Sequence, residues 1–147
     1  MWIVALRRYL IASAIGHLVW EFAQLPLYTI WREGKAGHIL FAAVHCAGAD
    51  LLIALCSLIA AILLTSKRDW PLGGYGSVAV LAIALGLAFT VFSEWLNTEV
   101  RRTWAYSELM PTLAFLGTGL SPLAQWLVVP AAAFWLARYK LVEADSS

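Results

Sequence analysis

Four long apolar runs constrain the fold of this chain more than any other feature of its sequence. They cover residues 9–31, 39–65, 77–97 and 122–139, and most charged residues lie between them. A run of about 20 apolar residues is long enough to cross the hydrocarbon core of a bilayer as a helix. Backbone amides in lipid must be paired within their own segment, and no alternating barrel pattern is present, so each run is expected to be helical.

The composition supports the same class of protein. Of the 147 residues, 62% are hydrophobic and 13% are charged, whereas a soluble domain is about half apolar and one quarter charged. The net charge of +1 gives no electrostatic basis for binding nucleic acid. We therefore predict an all-α integral membrane protein, with residues 1–147 forming a single transmembrane domain that is a four-helix bundle.

The segments between the apolar runs differ in character. Residues 70–76 read WPLGGYG and predict a turn. Residues 98–121 carry charges, one Pro and two Gly around a short apolar stretch, and we expect a long loop that lies partly in the interface. Pro26 and Pro130 should kink their helices, and Pro122 suits the first position of the fourth helix.

The basic residues indicate an orientation. With the N-terminus in the cytoplasm, the inner side carries more Lys and Arg than the outer side, as the positive-inside rule expects. We therefore expect a bacterial cytoplasmic (inner) membrane protein with both termini cytoplasmic. The inner group is Arg7, Arg8, Lys67, Arg68, Arg138 and Lys140, and the outer group is Arg32, Lys35, Arg101 and Arg102.

Polar side chains interrupt every apolar run, and they call for an explanation. A charged group at the bilayer centre costs about 2.5–3.5 kcal/mol on insertion scales, so such residues usually have a partner or a function. The spacing of three and four residues places those of the first run on one helical face. In chain order these residues are His17, Glu21, Gln24, His45, Asp50, Glu94, Asn97 and Gln125, and Arg101 follows the third run on the same helical stripe as Glu94 and Asn97.

Counting from the helix ends places nearly all these groups in the same half of the bilayer, which we take as the outer leaflet. We predict a polar pocket there that binds a membrane lipid, another hydrophobic small molecule or a cofactor, with acid–base chemistry on that molecule as a further step. The candidate catalytic residues are Glu21, His17, His45 and Glu94. The candidate ligand-binding residues are Gln24, Asn97, Arg101, Gln125 and, from the loop above the pocket, Trp104 and Tyr106.

Several alternatives remain open at this point. His17 and Glu21 could pair only with each other, and Asp50 is better placed to contact another helix than to act as a catalytic acid. The protein could be a non-catalytic accessory subunit of a larger membrane complex, or a homo-oligomer. It could also bind a metal through His17, Glu21, His45 and Glu94, although the spacing is not diagnostic.

Two resemblances add to these predictions. The segments SEWLN from Ser93, WAYSELMP from Trp104 and GTGLSPLAQW from Gly117 resemble a signature of small, uncharacterised bacterial four-helix membrane proteins. More faintly, the His17 and Glu21 pair, Glu94, Asn97 and Trp95 resemble the polar cavity residues of the emopamil-binding sterol isomerases. That similarity is an analogy and implies an intramembrane cavity with acid–base residues, although Asn97 shares a helix with Glu94 here.

Overall fold

The computed structural model of the protein describes residues 1–67 and 69–139. Its long helices are α1 (Trp2–Gln24), α3 (Ala36–Thr65), α4 (Tyr75–Trp95) and α5 (Leu120–Arg138), and the short helix α2 (Ile30–Glu33) joins α1 to α3. Within that part of the chain, four helices are long and apolar enough to cross a membrane. The predicted all-α architecture is confirmed, and Arg68 and Lys140, which entered the orientation argument, lie outside the described residues.

The first helix departs most from its predicted bounds of 9–31. It begins at Trp2, because Arg7 and Arg8 are good helix formers that need not end a helix. It ends at Gln24, since Pro26 has no N–H to continue the helical hydrogen bonds, and the chain passes into a 3₁₀ turn over Leu25–Leu27. Pro26 therefore ends this helix, and the predicted kink at that position is wrong.

The other predicted bounds are close to those observed. The second run begins at Ala36, three residues before the predicted residue 39, and ends at Thr65 as predicted. The third begins at Tyr75 and continues past residue 97 as a π-helical turn over Leu96–Val100. The fourth occupies Leu120–Arg138, so Pro122 is its third residue, while Pro130 lies inside it as expected.

The four long helices form a ring in which α1 packs against α3 and α5, and α4 packs against the same two helices. The half of the bundle nearest the α3–α4 turn is filled by apolar side chains. Two close approaches tighten it further: Gly86 on α4 lies against the Trp126 indole, and Gly16 on α1 lies against Val129. The buried cluster in this half consists of Ala5, Tyr9, Ala54, Leu58, Ala61, Trp70, Val78, Ala82, Trp126, Ala133, Phe134 and Ala137.

The other half of the bundle is covered by the loop between α4 and α5. Its backbone is fastened to the α1–α3 connection: the Thr29 N–H donates to the Ala105 carbonyl at 3.0 Å, and the Ser107 N–H donates to the Leu27 carbonyl at 2.8 Å. The Ser107 hydroxyl also donates to the Pro26 carbonyl at 3.0 Å. These bonds hold the loop across the end of the bundle where α1 and α4 end and where α3 and α5 begin.

Candidate functional site

A cavity of about 250 Å³ lies under this loop, and all four long helices contribute to its wall. Ligand sites are typically concave and mostly apolar, with a few polar groups that fix orientation, and this cavity has that character. Its aromatic and aliphatic lining includes Tyr28, Phe41, Ile53, Phe89 and Trp126. Its polar and thiol lining is Glu21, Gln24, His38, His45, Cys46, Asp50, Thr90, Ser93, Glu94, Thr103, Trp104 and Gln125.

The side-chain amide of Gln125 is the centre of the deeper hydrogen-bond network. Its Nε2 atom lies 2.9 Å from Asp50 Oδ2 on α3 and 3.1 Å from Glu21 Oε1 on α1. It also lies 3.0 Å from Nδ1 of His17, one turn before Glu21. The amide is only 2% exposed and His17 is fully buried. One residue of α5 thus joins two carboxyl groups and an imidazole from two other helices.

Three groups compete for the hydrogens of the Gln125 amide nitrogen. An amide nitrogen carries two hydrogens, whereas three potential acceptors surround Nε2 of Gln125. Glu21 Oε1 and Asp50 Oδ2 both lie within hydrogen-bond distance of this one nitrogen, so the two carboxyl groups are close together. His17 Nδ1 lies 3.4 Å from Asp50 Oδ2, so the imidazole and both carboxyl groups meet at one point in the bundle.

A second set of bonds locks α1 to α5 at the same level. Gln24 Nε2 donates to Glu21 Oε1 at 2.9 Å and to Gln125 Oε1 at 3.3 Å. The Ser121 hydroxyl donates to Gln24 Oε1 at 2.8 Å, and the Trp20 indole N–H donates to the same hydroxyl at 3.2 Å. Glu21 is therefore held in one position from both sides, which keeps its carboxyl group at the cavity wall.

Glu94 on α4 forms the opposite polar wall of the cavity together with the loop. The Tyr106 hydroxyl donates to Glu94 Oε2, and the same hydroxyl accepts the Gly119 N–H at 3.0 Å. The rings of Tyr28 and Tyr106 pack with their centroids 5.5 Å apart. Burial, and then the neighbouring Glu94, raises the pKa of Tyr106, so its phenol remains a hydrogen-bond donor at neutral pH.

The Trp104 indole completes the cavity roof. It lies beside Glu94, and its buried N–H has no hydrogen-bond partner of normal geometry among the described residues. A buried donor without a partner costs about 1–3 kcal/mol. An acceptor atom of a bound molecule would remove that cost, and Trp104 is one of the residues that line the cavity.

The structure brings most of the sequence-predicted site residues together. Glu21, Gln24, His45, Glu94, Trp104 and Gln125 line the cavity, while His17 and Tyr106 are bonded to its lining residues. His17 and Glu21 are linked through Gln125 instead of pairing only with each other.

Two of the ligand-binding candidates lie elsewhere. The Asn97 amide donates to the Ser93 carbonyl at 2.8 Å and its Oδ1 accepts from Thr103 at 3.0 Å, so it shapes the turn that ends α4. Arg101 is exposed and follows the π-helical turn. Both side chains depart from the predicted pocket because the π turn rotates residues after Trp95 away from the α-helical stripe of Glu94.

Several residues of α3 line the cavity although the sequence did not identify them as candidate site residues. Asp50 was expected to contact another helix, and it does, but it also lines the cavity. Ala42, Cys46 and Asp50 recur at every fourth position and share one helical face, which is the signal that could have identified them. His45 lies on the edge of that face, where its ring is exposed and stacks on Phe41 at 5.4 Å.

The arrangement of these side chains does not support the alternative of a metal site formed by His17, Glu21, His45 and Glu94. Among residues 1–67 and 69–139, no group of three or more His, Cys, Asp or Glu side chains is placed to hold a metal ion. Glu94, one of the four ligands considered, is engaged with Tyr106 on the opposite wall from Glu21.

Comparisons with known proteins identify no relative. No protein-family model, no curated protein and no solved structure matches the chain. The two resemblances drawn from sequence segments therefore stay predictions, and the function has to be argued from the cavity itself.

Proposed function

We propose that this chain is an integral membrane protein whose intramembrane cavity binds a small lipid-like molecule and supports acid–base chemistry on it. The observation that carries this proposal is the meeting of polar groups from α1, α3, α4 and α5 at one cavity. Scattered packing polars would pair locally along or between two helices. Polar groups from all four spans around an open space instead favour a binding site.

The outer surface supports insertion of the four helices into a bilayer. Large apolar side chains on every long helix face outward, such as Ile3 on α1, Leu64 on α3, Val80 on α4 and Trp135 on α5. Soluble monomers rarely expose continuous apolar surface of this extent. In the proposed arrangement both termini are cytoplasmic, the membrane is a bacterial inner membrane, and the cavity lies in the outer leaflet.

The cost of the cavity supports a functional role over a packing role. A bundle core filled with apolar side chains would be more stable than one holding an open space and several ionisable groups. The same chain packs the opposite half of its bundle with apolar residues. Retaining a polar cavity in only one half is what a binding site would require.

The two polar walls differ in chemistry, which suits transfer of a proton to and from a bound molecule. On one wall, Glu21, Asp50 and His17 are linked by hydrogen-bond contacts with the Gln125 amide. On the other wall, Glu94 accepts a hydrogen bond from the Tyr106 hydroxyl. General acid–base catalysis uses a proton donor or acceptor within hydrogen-bond reach of the reacting group, and a molecule between the two walls would lie near both sets of groups. We assign Glu21 and Asp50 to one of the two proton-transfer roles, donor or acceptor, and Glu94 to the other.

Binding is tested by purifying the protein in a mild detergent and identifying co-purifying molecules by native mass spectrometry. The wild type should retain a lipid-like molecule. Ala42→Trp, which fills the cavity, should lose it, whereas Val44→Trp, an exposed position on the same helix, should keep it. A wild type with no bound molecule, or equal retention in both variants, contradicts the proposal.

The chemistry is tested by incubating the protein with lipids from its own membrane in D₂O. Proton transfer to and from carbon exchanges one C–H hydrogen for deuterium, and mass spectrometry of the lipids detects the added mass. The wild type should label one lipid species. Glu21→Gln and Glu94→Gln should each abolish labelling, and Val44→Trp should not. If the wild type labels no lipid, the acid–base part of the proposal is contradicted and only the binding part stands.

A further inference from the structure

Part of the cavity wall is exposed at the outer surface of the bundle. The residues that α1 and α5 contribute deep in the cavity are buried, including Glu21, Gln24 and Gln125. Residues of α3 and α4 that line the same cavity are exposed: Phe41 is 65% exposed and Phe89 is 46% exposed. The cavity therefore reaches the outer surface of the bundle between these two helices.

The rim of the opening is mostly apolar, and it is formed by residues of the transmembrane helices α3 and α4. Phe41, His45 and Ala49 lie along one exposed edge of α3, and Phe89 and Ser93 lie along α4. Nearer the turn that joins α3 to α4, the two helices carry buried core residues such as Leu58 and Val78. The loop residues Thr103 and Trp104 cover the end of the cavity that would face water. A molecule dissolved in the bilayer would thus meet the opening directly.

The charge of the cavity selects among such molecules. Three carboxyl groups, those of Glu21, Asp50 and Glu94, line it, and within residues 1–67 and 69–139 no Lys or Arg does. A phosphate or carboxylate head group would find none of the described Lys or Arg residues there, only His38 and His45 at exposed positions, and would meet carboxyl groups on both walls. A nearby ammonium group would favour the ionised form of these carboxyl groups and pair with them. It could also donate up to three hydrogen bonds and would lie among aromatic rings that attract cations.

We propose that the cavity takes an amphiphilic amine from the bilayer, which enters between α3 and α4 and places its ammonium group between Glu21, Asp50 and Glu94. This inference rests on the proposed function, since it names the class of molecule that the cavity binds and its route of entry. The hydrocarbon part of the molecule lies along Phe41 and Phe89 and extends into lipid through the opening.

The experiment uses the purified protein in phosphatidylcholine nanodiscs and two probes of equal chain length, dodecylamine and laurate. Binding equilibria are measured by native mass spectrometry, and binding rates by stopped-flow tryptophan fluorescence. We expect the wild type to bind dodecylamine at least about tenfold more tightly than laurate, because only the amine meets opposite charge. The double variant Glu21→Gln, Glu94→Gln should lose most of this preference.

The route is tested with Ala49→Trp, which narrows the opening, and with Leu52→Trp, a matched lipid-facing control on α3 that does not line the cavity. Ala49→Trp should slow binding of dodecylamine by about tenfold or more, and Leu52→Trp should bind at the wild-type rate.

Each remaining outcome overturns part of the inference. Equal binding of the two probes, tighter binding of laurate, or no binding of either excludes an amine ligand. Equal rates for the two Trp variants exclude entry between α3 and α4. If the native molecule is still retained by the wild type and lost in Ala42→Trp, the proposed function stands and only this inference fails.

Discussion

Gln125 on α5 contacts Asp50 on α3 across the bundle, with its amide nitrogen 2.9 Å from the carboxyl oxygen Oδ2. The helices of this pair lie on opposite sides of the ring, since each packs mainly against α1 and α4. A polar contact across the centre of the bundle therefore connects the groups of the deeper network.

Replacing Gln125 with Leu should destabilise the protein by about 2 kcal/mol. The change leaves His17, Glu21 and Asp50 without their shared amide, and polar contacts in membrane proteins average about 0.6 kcal/mol each, with a higher cost when a buried partner is left unpaired. The free energy of unfolding can be measured by SDS titration in mixed micelles. Leu127→Val, at an exposed position on α5, should change the free energy of unfolding by less than about 0.5 kcal/mol. If the two variants lose the same amount of stability, the Gln125 amide does not stabilise the bundle through its polar contacts.

Replacing Gly86 with Ala should also be destabilising, by about 1–3 kcal/mol, because a Cβ atom there would overlap the Trp126 indole. The indole forms part of the cavity wall, so its fluorescence should shift as well. Gly48→Ala is the matched control, since nothing lies within 4 Å of its added Cβ. That variant should retain or slightly gain stability, as Ala favours the helix. Similar losses in both variants would contradict the packing described here.

Tyr106 should make the stability of the protein fall at alkaline pH. Burial raises the pKa of Tyr106 above the ordinary value of 10.0. The unfolded chain therefore ionises first, and this contribution is complete below pH 10 and is lost as the pH rises beyond it. Comparing the unfolding free energies at pH 8 and pH 11, the wild type should lose more than Tyr106→Phe, and an equal loss would contradict this account. At pH 8 the variant should already be weaker by about 1–2 kcal/mol, because it lacks the hydroxyl bonded to Glu94.

The proposed orientation predicts which loops can be labelled from outside the cell. Phe115 lies in the α4–α5 loop and is fully accessible, and Leu72 lies in the turn between α3 and α4 at the other end of the bundle. With Cys46 and Cys56 replaced by Ser, Phe115→Cys should react with a membrane-impermeant maleimide in intact spheroplasts. Leu72→Cys should react only after the membrane is opened. The reverse pattern would invert the orientation and leave the cavity in the other leaflet.

The sequence was sufficient to predict the helices and the meeting of most polar residues, because both follow from apolar run length and helical spacing. It was not sufficient to place Asp50 at the centre of the network, since its contact with Gln125 depends on how α3 and α5 are rotated within the ring. The π-helical turn after Trp95 could not be predicted from the sequence either, and it moves Asn97 away from the cavity. The bonds that fasten the loop through Ser107 involve backbone carbonyls, which leave no signature in a sequence.

The central claim, that side chains from separate helices meet at one cavity, is tested most directly by cross-linking in the native membrane. In a background without Cys46 and Cys56, the pair Asp50→Cys and Gln125→Cys is treated with a short bifunctional thiosulfonate, and the lipid-facing pair Leu52→Cys and Leu127→Cys serves as the control. We predict an intramolecular cross-link in the first pair, seen by mass spectrometry of the digested protein, and none in the second. No cross-link at positions 50 and 125, or equal cross-linking of both pairs, would contradict the arrangement on which the binding site depends.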